Sequence, residues 1–521
     1  MQHTSRKLGR VFALGAAAAV LAATTALATV QEPLVRVSPT VSPFGATPSG
    51  AVCNGAPQTG INYPGAEVEP YVDVNLANDD NLVGTWQQDR WSNGGANGQL
   101  SAFSTDGGQS WAIPPVSAAS NTGQAKFSRC TGGNTANGGD YERATDPWVS
   151  FSPNGTAQQI SLAINDSNVD NAVIAARSID SGANWQDPVV IKRDNKANFF
   201  NDKETITANP YDSDFVYATW QRIVSPSANS SARAAERAAA FRSIAWFARS
   251  DDNGQSYDVV KPVYDPGNKN QTIGNQIVVL PNRDLVMVFN LIRNTRDSKQ
   301  RGFTAAVIRS TDNGDSWSRP ILIDRMLTNG VRDPDDGHRV RTGDLIPQIA
   351  VDNNTGALYV VWQDDRFTGQ EQVALAKSSD GGNSWGPTRR VSTVGGGNQA
   401  FTPTVRVADD GEPNQDGTVA VSYYDFRNDS PATPGLTTDT WIIRSTDGGT
   451  TFPRANEERM GDPYDMRQAP DARGYFVGDY EGLDWAGGGQ RPGFKPFFVR
   501  ANDAMPTNRT DVFATTASTS P

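Results

Sequence analysis

Histidine is almost absent from this chain of 521 residues: there are two, His3 and His338. His3 lies in an N-terminal leader, so His338 alone remains for chemistry. That almost excludes a Ser-His-Asp triad, for which His338 would be the sole base, and a zinc site built from several histidines. Cysteine is equally scarce, with only Cys53 and Cys130. Beyond the leader no apolar run is long enough to span a bilayer core. Basic residues are outnumbered, 46 Lys+Arg against 57 Asp+Glu, for a net charge of −11. Nucleic acid and anionic lipid would both be repelled at long range, so neither is expected as a partner. Any catalysis must therefore rest on carboxylates, tyrosine, arginine and amides.

The leader has the make-up of a secretory signal. Arg6, Lys7 and Arg10 precede an apolar run from Val11 to Ala23, and Ala26-Leu27-Ala28 supplies the small-x-small cleavage pattern. The run is too short to cross a membrane as a helix. Cleavage after Ala28 is expected, with release outside the cell and no membrane insertion. One domain is expected over residues 29–515, followed by a short tail at 516–521. In an oxidising compartment Cys53 and Cys130 are expected to pair.

Against these scarcities one pattern is abundant. Ser-x-Asp-x-Gly-x-x-aromatic recurs six times, with aspartates at Asp106, Asp180, Asp252, Asp312, Asp380 and Asp447. The period of 60 to 74 residues marks a repeat architecture. Each copy reads as a hairpin turn in which the carboxylate accepts backbone N–H groups and glycine supplies a positive φ. The closing aromatic is then fixed for packing between sheets. A structural role is expected for all six aspartates.

Strand patterns surround each turn. Leu358–Trp362 and then Val373–Lys377 lead into the fifth, another strand follows Trp385, and Pro347–Asp352 suits an innermost strand. Equivalent inner runs begin at Glu69, Asp146, Glu204, Asn275, Pro347, Pro403 and Phe476. Four-stranded units repeating with little helix predict an all-β propeller, with seven blades expected and six the alternative. The last unit shows only three strands, and Leu34–Ser38 could supply the fourth, pairing an open edge. Two segments break the rhythm: a Gly/Asn-rich loop from Gly123 to Gly139, and an Ala/Arg-rich run from Ser227 to Ala240 that reads as a short inserted helix. The Asp-rich stretch Asp333 to Asp344 is expected to be a turn rather than a calcium site, and no cofactor is expected.

Six Asp boxes on a propeller resemble the sialidase superfamily over nearly the whole chain. The resemblance implies a site on the face opposite the Asp boxes, where strand ends gather Asp89-Arg90, Arg222, Arg293, Asp365-Arg366 and Arg427. The inner-strand entrances add Glu142-Arg143, Asp146, Asp202-Lys203-Glu204, Asp344 and Asp479-Tyr480-Glu481. Sialidases grip a carboxylate with three arginines and use a Glu-activated Tyr as nucleophile. Carried over, Tyr480 resembles the nucleophile, with Arg293, Arg366 and Arg427 as arginine candidates and Arg90 and Arg143 as further substrate contacts. Gly274–Pro281 resembles the Asn-Glu inner strand, but Gln276 holds the glutamate position, where it would stand beside Tyr480. Glu69 stands where the first arginine belongs, and Trp91–Gln99 contains no Asp to act as acid. Three readings remain: a secreted, monomeric sialidase-like propeller recognising extracellular glycans or glycoconjugates; an exo-glycosidase of exo-α-sialidase type with another carboxylate set, such as Asp146, Glu204 and Glu481; or a non-catalytic structural or protein-binding propeller.

Overall fold

A computed structural model describes residues 33–226, 241–411, 415–432, 434–503 and 505–520. The leader with its cleavage site and the run 227–240 lie outside the described residues. The described chain is almost entirely antiparallel β-structure, interrupted by short 3₁₀ turns.

Hairpin follows hairpin, so sequence neighbours are spatial neighbours. Four-stranded sheets form from Phe199–Ala208 to Val259–Tyr264, from Gln271–Val279 to Ile321–Met326, and from Gln348–Val351 to Arg389–Arg390. Ala400–Val407 opens a similar sheet ending at Glu457–Arg459, with Tyr464–Asp465 beside it. Glu67–Val74 begins a three-stranded unit, extended by an isolated bridge between Phe103 and Ala112, and Arg143–Phe151 begins a four-stranded one; the two are joined by the single pair Ala96 and Ala144. The last sheet draws on both ends of the chain. Val35–Arg36 lies antiparallel on Thr510–Ala514, with Val35 opposite Ala514. The N-terminal segment thus pairs an edge the C-terminal strands would otherwise leave open.

One expected strand is placed differently. The run expected to begin at Phe476 is divided: Tyr475–Phe476 pairs in parallel with Arg339–Arg341, and the inner strand is Gly482–Ala486. Arg339–Arg341 and Val331–Arg332 form a hairpin, so the stretch from Asp333 to Asp344 is a turn with its returning strand. Arg467 binds both oxygens of Asp333 at 2.7 and 3.0 Å. This hairpin, between the sheets that begin at Gln271 and Gln348, reaches across to the segment preceding Gly482.

The core is divided into slabs, most of them drawing on two consecutive sheets. Tyr217 and Phe247 meet Met287 and Phe289, for example, and Tyr359 and Leu375 meet Val405 and Tyr423. The slab that includes Trp86 gathers the first sheet, the last, and the one opened by Ala400. This succession is consistent with a propeller.

The six Ser-x-Asp-x-Gly turns share one hydrogen-bond pattern. In the fourth, Ser310 Oγ donates to Asp312 Oδ1 at 2.7 Å and accepts from the Gly314 N–H at 2.8 Å. Ser316 donates its N–H to Oδ1 at 2.8 Å and its hydroxyl to Oδ2 at 2.6 Å. These bonds hold the Asp312 carboxyl down at about 2. The closing aromatics pack inward, Trp317 edge-on to Phe247 and Trp111 against Phe497. Cys53 and Cys130 form a disulfide, tying the segment before the first sheet to the Gly/Asn-rich loop.

Candidate functional site

Three successive inner strands enter through the same irregularity. Glu69, Asp146 and Lys203 have φ of 53°, 55° and 53°, a left-handed conformation that side chains rarely adopt. Each sits at a bulge, where the ladder skips between Val68 and Tyr71, between Thr145 and Trp148, and opposite Thr219 and Gln221. Pro70 and Pro147 follow the first two, where a bulge leaves no ladder N–H to supply. Such residues cost on the order of 1–3 kcal/mol each and are held only where their surroundings fix them. Here the strain has a consequence: the three side chains meet.

Lys203 Nζ donates to Asp146 Oδ1 at 2.9 Å, to Asp479 Oδ2 at 2.9 Å and to Glu69 Oε1 at 3.0 Å. Three carboxyl groups thus surround an ammonium. Arg341 grips Asp479 with two prongs, Nε reaching Oδ1 at 2.9 Å. The rings and cations interleave: Phe476 carries Arg341 at 4.2 Å from its centroid and Arg90 at 5.0 Å.

The charges are unevenly held. Burial drives Glu69 up to about 8, against the pull of Lys203. Burial also opposes ionisation of Asp146 and Asp479, yet Lys203 holds Asp146 below the usual range and Arg341 with Lys203 holds Asp479 well below it. Lys203 is raised well above its ordinary value because those carboxylates outweigh its burial. Arg90 is lowered to about 10 by burial and by nearby Arg341. At neutral pH Glu69 is therefore neutral beside two ionised aspartates.

Arg90, Asp146, Lys203, Arg341 and Asp479 line a cavity of about 440 Å³. Leu162, Ile164, Phe200, Ile273 and Ile346 give it an apolar wall. Polar groups of both signs beside an apolar surface suit a polyhydroxylated ligand with a C–H face.

The expected site residues separate into two groups. Asp146 and Arg90 line the cavity. Glu204 does not: it is fully buried, with neither carboxylate oxygen hydrogen-bonded and its pKa pushed well up by burial and Asp146. The others are elsewhere. Tyr480 is buried against Trp148, and its hydroxyl donates to the Pro147 carbonyl at 3.1 Å. Burial and then Glu69 raise its pKa well above the ordinary value, so it is no ready nucleophile. Gln276 does not stand with it: its amide donates to the Pro347 carbonyl at 3.1 Å, and it faces a second cavity with Tyr71 and Arg406. The bulge between Ile273 and Gln276 re-aims this strand. Glu481 accepts from Ser422 at 2.5 Å, away from the cavity, and burial raises it to about 8.

Four of the five expected arginines are not cavity-lining. Arg143 is fully enclosed, donating to Gln58, Asn93, Gly94 and Thr59, pairing with Asp166 and lying over Trp91. Arg366 pins a strand end through Asp364 and Asp324, and Arg427 does the same through Asp425 and Glu457 over Trp441. Arg293 is half-buried, its backbone bridged to Gly302 at an outer turn. The cations at the cavity include Arg339, Arg341 and Arg473, which sequence reasoning missed. Arg339 and Arg341 belong to the long hairpin, outside any repeat that would have drawn attention to them.

No protein-family model and no curated protein matches the chain. Solved structures do. The chain is similar to the Hadza microbial sialidase Hz136, at 16% identity and a TM-score of 0.44, over 72% of this chain and 66% of that one, just under two thirds of its length. It is similar to the α-L-arabinofuranosidase Arb93A from Fusarium graminearum, at 12% identity and a TM-score of 0.44, over 75% of this chain and 92% of that one. A leech intramolecular trans-sialidase is matched at 11% identity and a TM-score of 0.43, over 87% of this chain and 92% of that one. Among the described residues, no helix is long and apolar enough to cross a membrane.

Proposed function

We propose that this chain is a secreted, seven-bladed Asp-box propeller of sialidase-like type that recognises an extracellular glycan at the mouth of its central channel. The observation that carries the reading is the cluster of Asp146, Lys203, Asp479, Arg341 and Arg90 on one wall of the 440 Å³ cavity. These groups are mutually fixed before any ligand arrives, so little ordering is needed on binding. Seven innermost strands, the last being Gly482–Ala486, support the blade count. The disulfide and the leader agree with export.

The test is a glycan array probed with the purified chain and with Asp146→Asn. The wild type binds a restricted set of glycans, and the variant, with Lys203 less well held, loses most of that binding. A wild type that binds nothing on the array overturns the reading.

A second reading, hydrolysis, is favoured by one observation. Glu69 and Asp146 are neighbours whose pKa values are displaced in opposite directions, the pairing expected of an acid and a base. Turnover of aryl-glycosides that Glu69→Gln and Asp146→Asn each abolish would establish it.

A further inference from the structure

Beside the main cavity lies another of about 380 Å³. The two share Arg339, Asp344 and Leu345, which stand between them. Arg339 and Asp344 are 3.7 Å apart, a loose ion pair on the common wall. The outer cavity is floored by Phe303 and walled by the segment from Thr328 to Arg332. That segment has no repetitive structure before Val331, yet it is firmly built. The buried carboxylate of Glu371 accepts from the Asn329 N–H at 2.7 Å, the Gly330 N–H at 2.9 Å and the Thr328 hydroxyl at 2.9 Å. Gln399 then brackets Arg332, accepting its N–H at 3.1 Å and donating to its carbonyl at 2.7 Å. Two buried side chains, one just before the strand Gln372–Ser378 and one just before the strand Ala400–Val407 of the next sheet, therefore hold this wall, and the cavity exists before any ligand enters.

Its lining has a defined chemistry. Phe303 gives the lining a partly buried apolar group, the Asn329 amide is held by Asp365, and Arg332 and Arg339 present exposed guanidinium groups. That combination suits a sugar ring: its C–H face can meet the apolar part of the lining and its hydroxyls can accept from the guanidinium groups. The two cavities are similar in volume, so each accommodates a unit of similar size.

From this we infer that the protein binds its glycan as a chain of at least two sugar units, one in the main cavity and the next in the outer cavity over Phe303, passing the Arg339–Asp344 pair. The inference rests on the glycan-binding reading above and adds the length and direction of the ligand. A single sugar fills only half of the site.

The test is calorimetric binding of two ladders of probes to the full chain: N-acetylneuraminic acid against 3′-sialyllactose, and arabinose against arabinobiose and arabinotriose. In the wild type the longer member of the binding ladder is held about tenfold more tightly than its single sugar, or better. Phe303→Ala and, as a variant that removes only an exposed side chain, Arg332→Ala reduce that ratio to less than about threefold. Asp146→Asn weakens every rung together and leaves the ratio standing. Equal affinity for short and long probes in the wild type overturns the inference while leaving glycan recognition intact. So does a ratio that survives both Phe303→Ala and Arg332→Ala. Binding of neither ladder removes the glycan-binding reading for these sugars and this inference with it.

Discussion

Arg341 and Asp479, 138 positions apart in the chain, form a two-pronged ion pair that locks the long hairpin to the segment leading into the last sheet. Asp479 also takes one of the three hydrogen bonds from Lys203. The pair therefore joins fold and site: the hairpin that carries Arg339 and Arg341 reaches the cavity because Asp479 holds it there.

Arg341→Met leaves Asp479 buried with Lys203 as its remaining cation. Removing one partner of a buried pair costs about 3 kcal/mol, and that is the expected loss in chemical denaturation. Arg341→Lys recovers little, because an ammonium cannot supply the two-pronged contact. A lysine variant as stable as the wild type would show that charge alone suffices here.

Asp312→Ala removes the acceptor for three hydrogen bonds that close one turn. The expected loss is about 1–3 kcal/mol, because backbone and hydroxyl donors lose their partner in a tight turn. Ligand affinity measured well below the melting range stays unchanged, since the turn does not line the cavity. If affinity falls while stability holds, these aspartates have a binding role.

The six turns were legible because everything that makes them lies within eight residues of sequence. Ser, Asp and Gly meet one another locally, so composition and spacing carry the geometry. The inner strands were legible for a similar reason, being short apolar runs at a regular interval. Phe476 was misread because a parallel pairing with Arg341, far away in sequence, claims it. The arginines show the limit most clearly. Arg366, Arg427 and Arg143 sit at strand ends as expected, but a sequence cannot say which carboxylates and carbonyls close around them. Lys203 is the converse case: its neighbours Glu69, Asp146 and Asp479 come from three other strands or loops, brought together by bulges with positive φ. The repeat placed Asp146, Lys203 and Asp479 at strand entrances on one face, but the bulges that bring them into contact have no local signature.

The Cys53–Cys130 disulfide closes a long loop, 77 positions in sequence separation. On the chain-entropy model its removal costs about 4 kcal/mol. Paired Cys53→Ala and Cys130→Ala substitutions should lower the melting temperature by several degrees without changing ligand affinity. Peptide mapping of exported protein without reductant recovers the linked pair, and recovery of two alkylated thiols would contradict it.

Tyr480→Phe removes one hydrogen bond, to the Pro147 carbonyl. The expected cost is about 1 kcal/mol. A 4-methylumbelliferyl sialoside is not turned over by the wild type through this tyrosine, whose hydroxyl is already engaged and lines no cavity. Turnover lost only in Tyr480→Phe, with folding preserved, would mean that the side chain swings out to attack.

Glu69 sets the response to pH. Its carboxyl titrates at about 8 in the folded protein, mainly because it is buried, against an ordinary value of 4.5. Between those values the folded protein keeps a proton that the unfolded chain has released, so stability falls as the pH rises from about 4.5 to about 8. Glu481, raised to about 8, and Glu371, raised to about 7, act in the same direction. Asp146 and Asp479 are displaced downward, so their contribution is present above the ordinary aspartate range and is lost on acidification. Maximum stability is therefore expected at mildly acidic pH, about 5, with a decline on either side. Glu69→Gln can keep an acceptor for Lys203, but it cannot ionise. The variant should flatten the decline between about pH 5 and 8 while leaving the acid limb as it was. Melting temperatures of both proteins across this range decide the matter. A wild type that grows steadily more stable up to pH 8, or a variant with an undiminished alkaline decline, would mean that Glu69 is ionised in the folded protein and that Lys203 holds three anions rather than two.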